Sequence, residues 1–230
     1  MKTIDLNCDL GEGGPFDNDL LAICSSANVG CGAHAGSPEL TLDTAKAARK
    51  AGVQVGAHPS YPDRASFGRS LDFPLDDDGQ GRLLASLVAQ CQVLRGRFNY
   101  IKPHGALYND SGHGGESMPV LAALLARFRV PLMGLPNSQH AIIAKAVGVP
   151  LIREGFADRR YGEDGHLMPR SQEGSILIDR NEIAEQSRQL AEQVDSICVH
   201  GDNPEAVAVL KHVRRTLEKH GYEVRPWRSK

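Results

Sequence analysis

Thr3-Ile4-Asp5-Leu6-Asn7-Cys8-Asp9 alternates apolar and polar side chains along a run with strand composition. The two-residue period puts Asp5, Asn7 and Asp9 on one side of the strand and Ile4, Leu6 and Cys8 on the other, with Glu12 arriving from the turn that follows. Later apolar runs finish at His34, at His58, at Lys102 and His104, at Glu154 and Asp158, and at His200 and Asp202, with helical stretches between them. In a barrel of parallel strands those downstream ends converge on one face, where the loops build the active site. The chain therefore reads as an enzyme.

Outward from that first strand, over 2–8, the Gly-rich turn Gly11-Glu12-Gly13-Gly14-Pro15 stops the ladder. Strands are expected over 27–31, 53–56, 100–102, 130–135, 151–153 and 196–199, with a short last one over 222–224. Helices are expected over 37–52, where Ser37-Pro38-Glu39 reads as a capped start, and over 83–94, 117–128, 138–147, 181–194 and 205–220. Strands alternating with helices of this length imply βαβ units and a parallel sheet, and seven or eight such units suit a closed (β/α) barrel in a single α/β domain over 1–230. The polar stretch 157–175 is too long for a plain connection and reads as a functional loop over the site.

Composition narrows the class. The 230 residues are 41% hydrophobic, enough for one sizeable core, and a formal charge of −2 with no basic stripe gives no footprint for nucleic acid or anionic lipid. No apolar run reaches a membrane-spanning length and no signal-peptide core follows Met1-Lys2-Thr3, so a cytoplasmic protein is expected. Five cysteines without C-x-x-C spacing argue for reduced thiols, and Cys8 and Cys31 read as small apolar strand residues rather than nucleophiles.

Four groups carry the candidate chemistry. Asp9 and Glu12 stand nearest the open end and are the candidate bases, whereas Asp5 and Asn7 read equally well as partners of loop amides. His34 and His58 follow glycine-containing strand ends and can shape a pocket, or with Asp9 ligate a metal, although no H-E-x-x-H and no i, i+4 histidine pair occurs. Lys102-Pro103-His104-Gly105 offers an ammonium for a developing oxyanion or phosphate and an imidazole for a leaving nitrogen. Glu154, Asp158, Arg159, Arg160, His200 and Asp202 close the set: an arginine pair suits a substrate carboxylate or phosphate, and Asp202 or Asn203 can cap the following helix. Neither a G-x-S-x-G elbow nor a G-x-x-x-x-G-K-[ST] phosphate loop is present.

Asp5-Leu6-Asn7-Cys8-Asp9-Leu10-Gly11-Glu12, the segment from Ser26 to Gly36, Gly56-Ala57-His58-Pro59-Ser60-Tyr61-Pro62-Asp63, Lys102-Pro103-His104-Gly105-Ala106-Leu107-Tyr108 and Phe156-Ala157-Asp158-Arg159-Arg160-Tyr161 together resemble the LamB/YcsF family over almost the whole chain. The resemblance implies a seven-stranded barrel of the glycoside hydrolase/deacetylase type. It implies cleavage of 5-oxoproline, or a related lactam, to L-glutamate with ATP as cosubstrate and two further 5-oxoprolinase subunits, B and C, as partners. The catalytic set expected on this basis is Asp9, Glu12, Lys102 and His104, with Asn7, His34, His58, Arg159, His200 and Asp202 binding substrate. Ala33, Ser37, Ser66 and Ser70 depart from the family pattern, which has phenylalanine, aspartate, glycine and arginine there, and as wall and rim positions they bear on which lactam is taken. Two other classes stay open: a deacetylase-like hydrolase needing a divalent metal on Asp9, His34 and His58, and a non-catalytic ligand-binding protein. Chelation separates the first from the lactam-opening enzyme. Loss of binding without a selective loss of rate on replacing Asp9 or Lys102 identifies the second.

Overall fold

The computed structural model describes residues 2–162, 167–201 and 203–229. Seven strands, β1 (Lys2–Leu10), β2 (Ser26–Gly30), β3 (Gln54–His58), β4 (Tyr100–Ile101), β5 (Leu132–Gly134), β6 (Leu151–Phe156) and β7 (Ser196–Cys198), pair in parallel and in chain order. The ring closes because β1 pairs with both neighbours, Asn7 opposite Ser26 of β2 and Asn7 opposite Cys198 of β7. The last strand, β8 (Tyr222–Val224), adds to the upstream half of β1, with Lys2 opposite Tyr222.

The alternation of β1 dictates how the barrel is filled. Ile4, Leu6, Cys8 and Leu10 join the large apolar layer between the sheet and its surrounding helices, while Asp5, Asn7 and Asp9 turn inward. The same two-residue period in β2 leaves Ala27 and Val29 in that layer and points Ser26 and Asn28 inward. Asp5 does not meet loop amides: Ser25 (2.6 Å), Ser26 (2.7 Å) and Ser196 donate hydroxyl hydrogens to it. Burial pushes the Asp5 carboxyl up, with the three hydroxyl donors working against that. At the floor Tyr100, Met133 and Ile152 pack together, and Trp227 from the C-terminal segment packs against them.

Gly56 makes room for that floor: a Cβ there would sit 2.1 Å from Cε2 of Tyr100. Gly56→Ala is therefore expected to cost about 1–3 kcal/mol of stability, read as a lower urea midpoint at unchanged slope. Shrinking Tyr100 to leucine in the same background should recover part of the loss.

Around the barrel lie α1 (Asp17–Leu21), α2 (Pro38–Lys50), α3 (Asp77–Val93), α4 (Gly105–His113), α5 (Met118–Phe128), α6 (Gln139–Val147), α7 (Arg180–Leu190) and α8 (Ala206–Lys219). Two differ from the sequence expectation. The start of α3 lies well before Leu83 because the Asp76 carboxylate accepts from Gly79 N and caps a polar first turn that carries no apolar period. The helix α4 was not expected, since Leu107 and Tyr108 are its buried large residues; its small side buries Ser111 and Gly112, with Ser111 Oγ 3.1 Å from His140 Nε2. Among the described residues no helix is long and apolar enough to cross a membrane.

Candidate active site

The downstream strand ends do converge. A cavity of about 310 Å³ at the barrel mouth is lined by Asp9, His58, Lys102, His104, Arg159 and His200, with Arg69, Tyr108, Phe156 and Arg170 among its other walls. A larger cavity of about 650 Å³ lies at the opposite end, beneath Lys2 and Trp227, where Arg153 and Asp195 neutralise each other at 2.8 Å. The buried titratable groups gather at the smaller one, which makes it the candidate site.

Lys102 follows directly on β4, its backbone N–H bonded to Ala57 O (2.9 Å), so the side chain continues the inward alternation set by Tyr100. It is 2% exposed. Its Nζ lies 3.0 Å from Asp9 Oδ1, 2.8 Å from Glu154 Oε1 and 3.2 Å from Cys198 Sγ. Burial works against the ammonium, but the carboxylates, Asp9 foremost, outweigh it and hold the Lys102 pKa well above the ordinary lysine value. Burial likewise works against the Asp9 anion, and Lys102, then His58, hold its carboxyl well below the usual range. Below them Asn28 Nδ2 donates to Asp9 Oδ1 (2.8 Å) and to Asn7 Oδ1 (2.7 Å), and Asn7 Nδ2 donates to Ser196 (2.8 Å). Asn7 thus supports the charged pair from underneath.

On the opposite wall three imidazoles gather with Glu12. His34 Nε2 is 2.9 Å from Glu12 Oε1, and its ring stacks on His104 with centroids 3.8 Å apart. His58 Nδ1 donates to Lys102 O (2.7 Å) and His104 Nε2 donates to Phe67 O (3.0 Å), which leaves His58 Nε2 and His104 Nδ1 facing each other at 3.0 Å. Phe67 adopts φ 60°, a conformation that a non-glycine residue holds only at a cost of about 1–3 kcal/mol. What the strain secures is visible: the carbonyl orients His104, and the Phe67 ring packs edge-on against both His34 and His104 at 5.2 Å. Burial first, then the neighbouring His58 and His34, pushes the His104 pKa down to about 2. A neutral His104 cannot supply a proton to a leaving nitrogen, so the acid role expected of it does not fit its surroundings.

His200 differs in every respect. Its Nδ1 lies 2.9 and 3.0 Å from the two Asp158 oxygens, its backbone N–H also donates to Asp158 (2.9 Å), and its ring stacks on Phe156. Burial lowers its pKa, but the Asp158 carboxylate more than offsets this and the net shift is upward. Asp158 is correspondingly lowered, the effect of burial being outweighed by His200.

The remaining expectations divide. Arg159 is buried at the cavity and donates to Met168 O (2.6 Å), whereas Arg160 faces solvent and pairs with Glu182 at 3.0 Å, so the anticipated arginine pair is a single pocket residue. Ser37 caps α2, and Ser66 and Ser70 both donate to Asp63, so these three organise loops rather than line the cavity. Asp202 lies outside the described residues; Asn203 accepts from Glu205 N (2.8 Å). The Cys198 and Cys8 thiols are pushed far up and Cys31 up to about 12 by burial, as befits apolar packing rather than nucleophiles. Within the 157–175 stretch Leu167, Arg170 and Ser171 line the cavity, and Tyr161 OH accepts from Phe156 N (2.8 Å).

Sequence reasoning gave no role to Tyr108, whose hydroxyl donates to Glu154 Oε2 (2.9 Å), or to Asn28 and Phe67. The Ser26-Ala27-Asn28 alternation was the available signal for Asn28; no local signal marked Phe67. Among the described residues three sets of side chains could hold a metal: Asp9, His58 and His104; Glu12, His34 and His104; and Asp9, Cys198 and His200.

The chain's relatives agree with this architecture. A 5-oxoprolinase A-type subunit of Agrobacterium fabrum is 40% identical over 260 residues, spanning 100% of this chain and 99% of that protein. The corresponding 5-oxoprolinase subunit of Pyrococcus furiosus is 36% identical over 247 residues, 97% of each. The crystal structure of a lactam utilization protein from Thermus thermophilus superposes with a TM-score of 0.85 at 32% identity, covering 99% of this chain and 100% of that one. A family 4 carbohydrate esterase from Streptomyces lividans, at 11% identity and a TM-score of 0.55 over 97% and 91% of the two chains, shares the barrel fold alone. The LamB/YcsF family model matches residues 4–230, and with relatives this similar over their full length the chain belongs to the LamB/YcsF family.

Proposed function

We propose that this chain is the lactam-opening component of an ATP-dependent 5-oxoprolinase, acting on 5-oxoproline or a close relative to release L-glutamate. The observation that carries the reading is the buried convergence of Asp9, Lys102 and Glu154 with the His34, His58, His104 and Glu12 group on one side of a small cavity and the Asp158–His200 pair on the other. The relatives named as 5-oxoprolinase subunits, and the solved lactam utilization protein, supply the substrate class.

The chemistry follows from the lactam. An unstrained amide carbon is a poor electrophile, so transfer of a phosphoryl group from ATP to the lactam oxygen activates it. Water then adds to the ring carbon, giving a tetrahedral centre that bears hydroxyl, phosphate and ring nitrogen. Breaking the carbon–nitrogen bond, with a proton delivered to nitrogen, leaves an acyl phosphate, which a second water converts to glutamate and phosphate. Glu12 is the better-placed base for water, since Asp9 is tied to Lys102 and Asn28 and held far below the pH range of a useful base. Lys102, with Asp9, Glu154 and Cys198 all within 3.2 Å, orders the carboxylates rather than offering a free ammonium. His200 carries the proton for nitrogen, and the guanidinium groups of Arg69, Arg159 and Arg170 at the cavity suit the substrate carboxylate and the added phosphate.

The chain has no Walker-type loop, so the phosphoryl-transfer half is assigned to the partner subunits B and C. Glutamate release from 5-oxoproline and ATP, measured for the chain alone and with both partners, tests the assignment. Release is expected only with partners and ATP. ATPase activity in the isolated chain would count against the division of labour, and partner-dependent turnover unaffected by Asp9→Asn would count against the site.

A further inference from the structure

We infer that the His58–His104 pair, with Asp9, is a binding site for one divalent transition-metal ion of the zinc type. Ligand geometry alone supports such a site, whether or not the chain opens a lactam.

Backbone carbonyls fix the tautomers. A carbonyl oxygen can only accept, so Lys102 O takes the Nδ1–H of His58 and Phe67 O takes the Nε2–H of His104. In the neutral rings the two nitrogens that face each other, His58 Nε2 and His104 Nδ1, then both carry lone pairs, 3.0 Å apart. Two lone pairs at that distance repel unless a cation lies beside them. A strained Phe67 and a glycine at 68, where a Cβ would come within 3.1 Å of both His34 and His104, hold this arrangement in place.

Carboxylates complete the donor set. Asp9 gives Oδ1 to Lys102 and Asn28 and turns Oδ2 to within 3.6 Å of His58 Nε2. Glu12 Oε1 lies 3.6 Å from His104 Nδ1 and 3.8 Å from His58 Nε2. An ion held by bonds of roughly 2.1 Å has ligand atoms roughly 3.0 Å apart along an octahedral edge and roughly 3.4 Å apart along a tetrahedral one. The 3.0 Å between His58 and His104 matches the octahedral edge, and the 3.6 Å from His58 to Asp9 lies a few tenths of an ångström beyond the tetrahedral one. The ligand atoms of all three lie within 4.8 Å of one another, so a small side-chain adjustment closes them on one ion. Two imidazoles and a carboxylate select a borderline ion over calcium or magnesium, and an imidazole that donates its second N–H to a backbone carbonyl is the usual support of a ligating histidine. The three ligands come from three strand ends, separated in sequence by up to 95 residues (Asp9 to His104), which is why no local spacing announced them.

The test uses the full chain, stripped with a chelator and titrated with Co²⁺ as a spectroscopic probe, then with Zn²⁺ in competition. One ion per chain is expected, with ligand-field absorption that Zn²⁺ abolishes and a raised melting temperature. His58→Ala, His104→Ala and Asp9→Asn should each weaken binding by at least about 10–100-fold, while His220→Ala, an exposed histidine on the far end of α8, should change nothing. Wild-type protein that takes up no ion, or uptake that survives all three substitutions, overturns the inference and leaves a shared proton between the rings. Because the readout is binding, a protein that holds the ion yet opens no lactam would sink the functional reading and leave this one standing.

Discussion

Lys102→Met is expected to lower stability by about 3–5 kcal/mol and glutamate release by about 10²- to 10³-fold in the presence of the partner subunits. Burial sets the size of the effect. Asp9 and Glu154 both meet the Lys102 ammonium in a space where Glu154 is 0% exposed, so removing the cation takes the ammonium from both carboxylates, leaving Glu154 with the Tyr108 hydroxyl and Asp9 with Asn28 and His58. Methionine matches the volume of lysine, which keeps cavity formation out of the comparison. Urea unfolding gives the stability loss. Adding Glu154→Gln to the methionine variant removes one of the stranded charges and keeps the hydrogen bond from Tyr108 available, so it should restore part of the stability and none of the activity. A methionine variant as stable and active as the parent would mean that the ion group neither holds the barrel mouth together nor orders the chemistry.

Seven or eight strands alternating with helices pointed to the barrel, while the two-residue period of Thr3–Asp9 left closure open. Once β1 pairs with both β2 and β7, the interior of the closed sheet is where Asp5, Asn7 and Asp9 go. His34, His58, Lys102, His104, Arg159 and His200 were likewise legible as strand-end residues, and the structure brings all but His34 to the wall of the same mouth, with His34 buried against His104 and Glu12. What sequence could not carry was pairing at long range. The approach of His58 to His104 depends on the register of β3 against β4 and on the backbone of Phe67, and the choice of His200 over His104 as the protonated imidazole depends on which one Asp158 reaches. Arg159 and Arg160 are adjacent in sequence yet face opposite ways, one to the cavity and one to Glu182, for the period-two reason that organises β1. The helix α4 escaped because Leu107 and Tyr108 are its only large buried residues and the rest of its packing is made by Ser111 and Gly112, without a repeating apolar stripe.

His200→Gln is expected to uncouple the reaction rather than merely slow it. Once water has added to the activated ring carbon, the tetrahedral centre can lose phosphate and return to lactam, or lose the ring nitrogen and go forward. An amine anion is far the poorer leaving group, so the forward path needs a proton on nitrogen at the moment the bond breaks, and the donor decides the partition. His200 is the imidazole that Asp158 grips with both oxygens, and that carboxylate raises its pKa above the ordinary imidazole value, so it keeps its proton to higher pH than a free histidine and loses it as pH rises through the elevated value. Glutamine retains a side-chain amide of similar reach but no transferable proton. ATP consumption should therefore persist while glutamate release falls by about 10²- to 10⁴-fold, so that the ratio of ATP consumed to glutamate formed climbs far above one. The wild-type ratio should itself rise on the alkaline side, and Asp158→Asn, which removes the charge that raises the His200 pKa, should move that rise to lower pH without abolishing it. If ATP consumption and glutamate release fall together in His200→Gln, with their ratio fixed, the proton for the ring nitrogen comes from elsewhere.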